Sequence, residues 1–139
     1  MSAHADPVEH DDRWLLNLRG VVVTGLGIDF RLTLHLGSDW LLVLEDRVRL
    51  ARGPARAGTT VTLVPETQDV AAALPLFGKR ILSAVAHKAG ALGLVFECGT
   101  HLACGPGETY PAWTLQGPHG WAFASLPHGE LTVWKGSPE

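Results

Sequence analysis

Residues 16–23 read LNLRGVVV, and residues 74–81 read LPLFGKRI. Both stretches carry two leucines spaced two apart, then a glycine, then a β-branched residue three positions after that glycine. Because alternation with a period of two is typical of half-buried β-strands, the segments that follow predict one β-rich domain built from two related halves. The alternating apolar residues are Leu32, Leu34 and Leu36 in the first copy and Leu92, Leu94 and Phe96 in the second.

The predicted fold class is mostly β, a β-rich α+β protein in which two β-meander halves form an antiparallel barrel or a sandwich-like sheet. The pseudo-repeats cover about 16–64 and 74–105, and a C-terminal β extension covers 110–135. The glycines of the two copies are 58 residues apart and the alternating segments 60, so the copies differ by two residues. The halves could pack about a pseudo-twofold axis inside one barrel.

One or two short helices are expected beside the strands. Residues 14–18 fit a single amphipathic helical turn that Gly20 would stop. Residues 66–74 are the best helix candidate, because Pro65 stands at the entry, acidic residues fall in the first turn, and Pro75 would end the helix.

The composition fits one domain of ordinary size. The chain has 139 residues, of which 46% are hydrophobic and 18% charged, so it can bury a core and does not resemble a disordered protein. The formal net charge of −3 lacks the basic field that nucleic-acid binding usually needs. The polar, acidic residues 1–12 predict a flexible N-terminal tail, and residues 13–136 a single domain.

The two cysteines and the N-terminus predict a cytoplasmic protein. Cys98 falls in a predicted hairpin turn and Cys104 well along the opposite strand, which places them poorly for a disulfide. Two unpaired thiols are typical of a reducing compartment. The N-terminus lacks the basic and apolar regions of a signal peptide, and no apolar stretch is long enough to span a bilayer, so we expect no membrane partner.

The C-terminal third carries a distinctive pattern, in which residues 110–120 read YPAWTLQGPHG and residues 126–134 read LPHGELTVW. With this pattern the chain resembles the DUF6188 family, small proteins found mainly in actinobacteria, over about residues 14–135. The resemblance implies no activity, because the family has no established function. The family pattern usually has an acidic residue where Pro111 stands here. In size and organisation the chain resembles immunity-type and accessory proteins of bacterial gene clusters, which is an analogy only.

The candidate acid–base residues are Asp29, His101, His128 and Glu130. One interpretation places them at the mouth of a small barrel enzyme of the cyclase or isomerase type, which works by positioning and one proton transfer. The sequence has no nucleophile motif to accompany them. Asp29 also has a simpler interpretation, as a turn residue whose carboxylate accepts hydrogen bonds from backbone amides.

The sequence predicts neither a metal site nor a cofactor. No pair among the seven histidines has the spacing of a helical metal site, and there is no Cys-x-x-Cys knuckle. The glycine-rich pieces at 25–27 and 105–107 do not fit phosphate loops, because the first lacks a following helix and the second contains a proline.

Aromatic residues of the C-terminal third suggest a binding surface. Most of the five tryptophans could be core anchors, but several could instead converge on one face that meets a protein partner or a small-molecule ligand. We therefore predict a non-enzymatic binding or interaction module of the immunity or pathway-accessory type. A small enzyme and a homo-oligomeric structural domain are the alternatives. The candidate ligand- or partner-binding residues are Tyr110, Trp113, Trp121 and Trp134.

Overall fold

The computed structural model describes residues 6–52, 59–107 and 111–137. Over these residues the protein is mostly β, and its helical segments are short 3-10 turns at Pro65–Thr67, Ala71–Leu76 and Pro118–Gly120. The strands are β1 (Val8–Glu9), β2 (Arg13–Leu15), β3 (Val23–Ile28), β4 (Leu32–Leu36), β5 (Trp40–Leu44), β6 (Val48–Arg52), β7 (Thr59–Leu63), β8 (Ile81–His87), β9 (Leu92–Phe96), β10 (Thr100–Cys104), β11 (Trp113–Gln116), β12 (Ala122–Leu126) and β13 (Glu130–Trp134).

The strands form two antiparallel sheets. The seven-stranded sheet has the order β1-β2-β8-β9-β10-β6-β7, and the six-stranded sheet has the order β13-β12-β11-β5-β4-β3. The mostly-β prediction is confirmed, and of its two forms the sandwich-like one is found, because the sheets do not close into a barrel. One cluster of buried apolar side chains, drawn from both sheets, fills the space between them.

The two halves of the repeat exchange strands. Each half contributes a three-stranded meander, β3-β4-β5 to one sheet and β8-β9-β10 to the other. The chain then crosses over, so that β6 pairs with β10 and β11 pairs with β5. The seven-stranded sheet therefore contains strands from both copies, and the six-stranded sheet joins the first copy to the C-terminal extension.

The two copies make equivalent backbone hydrogen bonds where they meet. The Gly20 N–H donates to the Ile81 carbonyl at 2.7 Å, and 58 residues on, the Gly78 N–H donates to the Val23 carbonyl at 2.8 Å. Both glycines have positive φ, +88° and +82°, which other residues adopt only with strain. Since Val22 forms a bridge with its own counterpart in the other copy, Arg80, the hydrogen bonds have an approximate twofold symmetry centred on that pair.

The two-residue difference between the copies lies at the tips of equivalent hairpins. The β3–β4 hairpin closes with the pair Ile28–Leu32 and a three-residue tip, 29–31. The corresponding pair in the β8–β9 hairpin is Ala86–Leu92, which leaves a five-residue tip, 87–91.

The predicted helical turn at residues 14–18 is wrong. Arg13–Leu15 is strand β2, which pairs with β8, and the Leu16 N–H donates to the Ala84 carbonyl at 3.0 Å. The buried residues of this stretch are Trp14, Leu16 and Leu18, which follow a period of two. The helical interpretation counted Leu15 on the buried face and therefore assigned a helical period to a stretch whose period is two.

The helix expected at residues 66–74 is divided into two short 3-10 segments. Between them, Val64 and Asp69 exchange backbone hydrogen bonds of 3.0 and 3.1 Å, and Gln68 has a φ of +61°. This local pairing interrupts a continuous helix. Pro75 lies inside the second segment, Ala71–Leu76, and does not end it.

Candidate functional site

The four aromatic residues predicted to form a binding surface do not converge on one. Trp113 is completely buried, and its indole Nε1–H donates to the Gly90 carbonyl at 3.0 Å. Trp121 is only 8% exposed and stacks on Phe123. Trp134, at 53% exposed, is the one of the four that the structure places at the surface, and Tyr110 lies outside the described residues.

The distinctive C-terminal pattern is explained largely by packing. The buried hydroxyl of Ser125 donates to the Gly90 carbonyl at 2.7 Å, beside the bond from Trp113. A Cβ atom on Gly117 would lie 2.5 Å from the Trp40 ring, and one on Gly129 would lie 3.1 Å from the Ala89 carbonyl oxygen. These residues fix the C-terminal hairpins onto the rest of the fold.

The candidate acid–base residues lie on separate elements. Asp29 is in the tip of the β3–β4 hairpin, where its Oδ1 accepts a hydrogen bond of 2.7 Å from the Arg31 N–H, as the turn interpretation predicts. His101 is exposed on β10, while His128 and Glu130 are exposed in and after the β12–β13 turn. The structure does not bring Asp29 together with the other three.

The two thiols have opposite environments, and neither is in a disulfide. Burial raises the pKa of the Cys104 thiol to about 12, and the nearby Asp46 carboxylate adds to the effect. Burial also acts to raise the pKa of Cys98, but a hydrogen bond with Thr100 and the charge of Lys79 contribute to a pKa below the ordinary value. Within the described part of the chain, no three His, Cys, Asp or Glu side chains form a group that could hold a metal ion.

A cleft of about 290 Å³ opens along the seam between the edge strands of the two sheets, β1 and β2 on one side and β13 on the other. Leu131 and Val133 are partly buried and pack against the core at this edge. The Lys88 ammonium donates to the Glu9 carboxylate at 2.6 Å, and this bond, with the charges of Lys88 and Lys135, holds the pKa of Glu9 below its ordinary value. We call this site the seam cleft; it is lined by Glu9, Trp14, Lys88, Leu131, Val133 and Lys135.

A second cleft, of about 320 Å³, lies beside the tip of the β3–β4 hairpin. The Gln68 Nε2–H donates to the Asp29 carbonyl at 2.9 Å, which ties the tip to the loop after β7. Phe30 is 75% exposed, the most exposed large apolar side chain of the described residues. We call this site the tip cleft; it is lined by Asp29, Phe30, Arg31, Glu45 and Glu66.

Of the residues that line the two clefts, only Asp29 was predicted from the sequence as a site residue. A signal for the seam cleft was present, since Leu131 and Val133 alternate along β13 and Lys135 directly follows its end. An aromatic residue at a hairpin tip, Phe30 between Asp29 and Arg31, was a second signal. Neither becomes informative until the topology shows which strands lie at the edges of the sheets.

The fold and its clefts define a class, the antiparallel two-sheet β proteins built on an internal repeat. Within that class the chain belongs to DUF6188, a family of unknown function whose model matches residues 14–135. No curated protein and no solved structure matches the chain. None of the helices in the described ranges has the length and apolar character needed to cross a membrane.

Proposed function

We propose that this protein is a non-enzymatic cytoplasmic interaction module and that the seam cleft is its recognition site. The partner is a protein segment that carries an apolar or aromatic side chain beside a carboxylate. The observation that supports this is the combination, in one open cleft, of an apolar floor with two lysine ammonium groups. Such a module suits an immunity-type or accessory role, in which binding is the whole activity.

The apolar floor of the seam cleft is held rigidly. Trp14 is only 5% exposed, and its ring forms T-shaped contacts with Trp121 and Phe123 at centroid distances of 5.8 and 5.6 Å. Leu131 and Val133 complete the floor from the neighbouring sheet. A preformed floor loses little conformational entropy when a side chain is buried on it, which favours binding.

The charges at the rim favour an anionic group. The two ammonium groups of Lys88 and Lys135 outnumber the single carboxylate of Glu9 among the residues that line the cleft. Lys88 already donates to Glu9, but an ammonium group has three N–H donors and can also bind an incoming carboxylate. A charge-assisted hydrogen bond beside an apolar surface is stronger than the same bond in open water.

Strand β13 offers a further means of recognition. It is the outermost strand of the six-stranded sheet, so alternate backbone N–H and C=O groups point away from β12. An extended segment can add to such an edge by backbone hydrogen bonds while its side chains enter the cleft. Because side chains alternate along a strand, the exposed Trp134 lies on the other face from Val133 and can contact the same segment. This retains one residue of the predicted aromatic surface.

The test uses a short synthetic peptide in which one phenylalanine is flanked by two aspartates, with affinity measured by isothermal titration calorimetry. The double variant Lys88→Glu, Lys135→Glu should bind at least about tenfold more weakly, because two attractions become repulsions. The double variant Arg47→Glu, Arg49→Glu makes the same change in net charge on exposed residues outside the cleft, and it should bind like the wild type. Equal loss in both variants, or no binding by the wild type at millimolar peptide, would refute the proposal.

A further inference from the structure

The two clefts lie at places related by the internal repeat. The seam cleft adjoins the tip of the β8–β9 hairpin, which contributes Lys88, and the tip cleft adjoins the equivalent β3–β4 tip. The approximate twofold symmetry of the backbone therefore relates the two hairpin tips beside which the clefts lie.

The two clefts have opposite charge. In the tip cleft three carboxylates, those of Asp29, Glu45 and Glu66, surround one guanidinium group. That guanidinium, of Arg31, lies 3.7 Å from Asp29, while the side chains of Glu45 and Glu66 form no salt bridge with any described residue. In the seam cleft the ammonium groups are in excess, as described above. The two hairpin tips are equivalent in the backbone, but the clefts beside them carry opposite excess charge.

We infer that the segment bound by the seam cleft is the β3–β4 tip of a second copy of this chain. This inference rests on the proposed function and names its partner. The tip presents a 75% exposed phenyl ring, that of Phe30, with the carboxylates of Glu45 and Glu66 beside it. An aromatic ring flanked by carboxylates is the chemistry that suits the apolar floor and lysine rim of the seam cleft. Charge complementarity between the two clefts favours a second copy as the occupant.

A contact of this kind is head-to-tail. Each molecule uses its tip toward one neighbour and its seam cleft toward another, so two different surfaces meet at every contact. Association then continues into rings or open chains and does not stop at a symmetric dimer. Because the attraction between exposed charges is screened by salt, association should weaken as the ionic strength rises.

The experiment is sedimentation velocity on two variants, each defective in one surface. The cleft variant is Lys88→Glu, Lys135→Glu, and the tip variant is Phe30→Ser, Glu66→Gln, which leaves the Asp29 turn intact. Wild type should sediment faster as its concentration rises, and this dependence should be lost at about 0.5 M salt. Each variant alone should remain monomeric, with self-association weakened at least about tenfold.

An equimolar mixture of the two variants gives the decisive result. The cleft variant keeps a working tip and the tip variant keeps a working seam cleft, so the mixture should form a one-to-one heterodimer that does not grow further. No heterodimer in the mixture, or a wild type that stays monomeric at millimolar concentration, overturns the inference. The aspartate-flanked peptide separates this failure from that of the proposed function, because the tip variant should bind the peptide like the wild type.

Discussion

The two hairpin tips occupy equivalent places in the repeat but have opposite environments. The five-residue tip at 87–91 folds inward: Gly90 is buried, and its carbonyl accepts hydrogen bonds from Trp113 and Ser125. The three-residue tip at 29–31 stays outside, with Phe30 largely exposed. One tip therefore holds the fold together, and the other is available for contact.

The inward tip lies beside strands that can satisfy a buried carbonyl group. Trp113 begins β11, and Ser125 lies in β12, the strand that pairs with β11. In the other sheet, β6 and β7 align Leu50 with Val61 and Val48 with Leu63. Trp113 and Ser125 supply two hydrogen-bond donors for a backbone carbonyl, whereas the pair Val48 and Leu63 is apolar. A tip that entered the core beside the apolar pair would bury a carbonyl without a partner, which is costly. The tip at 29–31 is short and stays exposed, which avoids that cost.

The largest expected effect comes from removing the indole that holds the inward tip. Trp113→Ala should lower the free energy of unfolding by about 3–5 kcal/mol, because it leaves a cavity and removes a hydrogen bond to Gly90. Trp134→Ala is the matched control on an exposed tryptophan, and it should change the free energy of unfolding by less than about 0.5 kcal/mol. Urea denaturation followed by circular dichroism measures both. Equal losses would mean that the two tryptophans do not differ in burial as described.

A smaller effect is expected from crowding the inward tip. Gly90 has a φ of +106°, and a Cβ atom there would lie 3.0 Å from Pro106 Cβ. Gly90→Ala should therefore destabilise the protein by about 2 kcal/mol or more, from strained backbone and overpacking together. Phe30→Ala, at the equivalent outward tip, should change the free energy of unfolding by less than about 0.5 kcal/mol. A neutral Gly90→Ala variant would show that the tip at 87–91 is not fixed in the core.

The smallest effect concerns the ion pair beside the inward tip. The hydrogen bond from Lys88 holds the pKa of Glu9 below its ordinary value near 4.5. A lowered carboxylate pKa stabilises the folded protein above the unfolded pKa, and this stabilisation is lost as the pH falls through the folded value. Glu9→Gln should therefore lose slightly less thermal stability than wild type between about pH 7 and pH 3. Melting temperatures measured at both pH values would contradict this if the variant lost as much as wild type.

Local sequence pattern predicted the strands better than it predicted their partners. Alternation at Leu32, Leu34 and Leu36 marked β4 correctly, and the repeated glycines indicated the twofold relation between the halves. The exchange of strands was not predictable, because a period of two shows which face is buried and not which distant strand lies alongside. At residues 14–18, Leu15 fitted a helical face by chance, and only pairing with β8 decides between the two periods.

The candidate site was less predictable than the fold for a related reason. Trp113 and Trp121 were selected as aromatic residues, but whether an aromatic residue is a core anchor or a contact depends on what packs over it. Lys88 and Lys135 have no distinctive sequence context, and they line one cleft only because the edge strands β1 and β13 of the two sheets lie close together. Of the two interpretations of Asp29, the turn agrees with the structure, where its carboxylate accepts a hydrogen bond from the Arg31 amide.

The exchange of strands also sets an order of events during synthesis. β5 ends at Leu44, and the strand that covers its open edge, β11, begins at Trp113, 69 residues later. At about 5–20 residues per second, the ribosome leaves that edge uncovered for roughly 3 to 14 seconds. The first meander cannot complete its sheet as it emerges, so the nascent chain must carry an open β edge until the last third of the protein has been made.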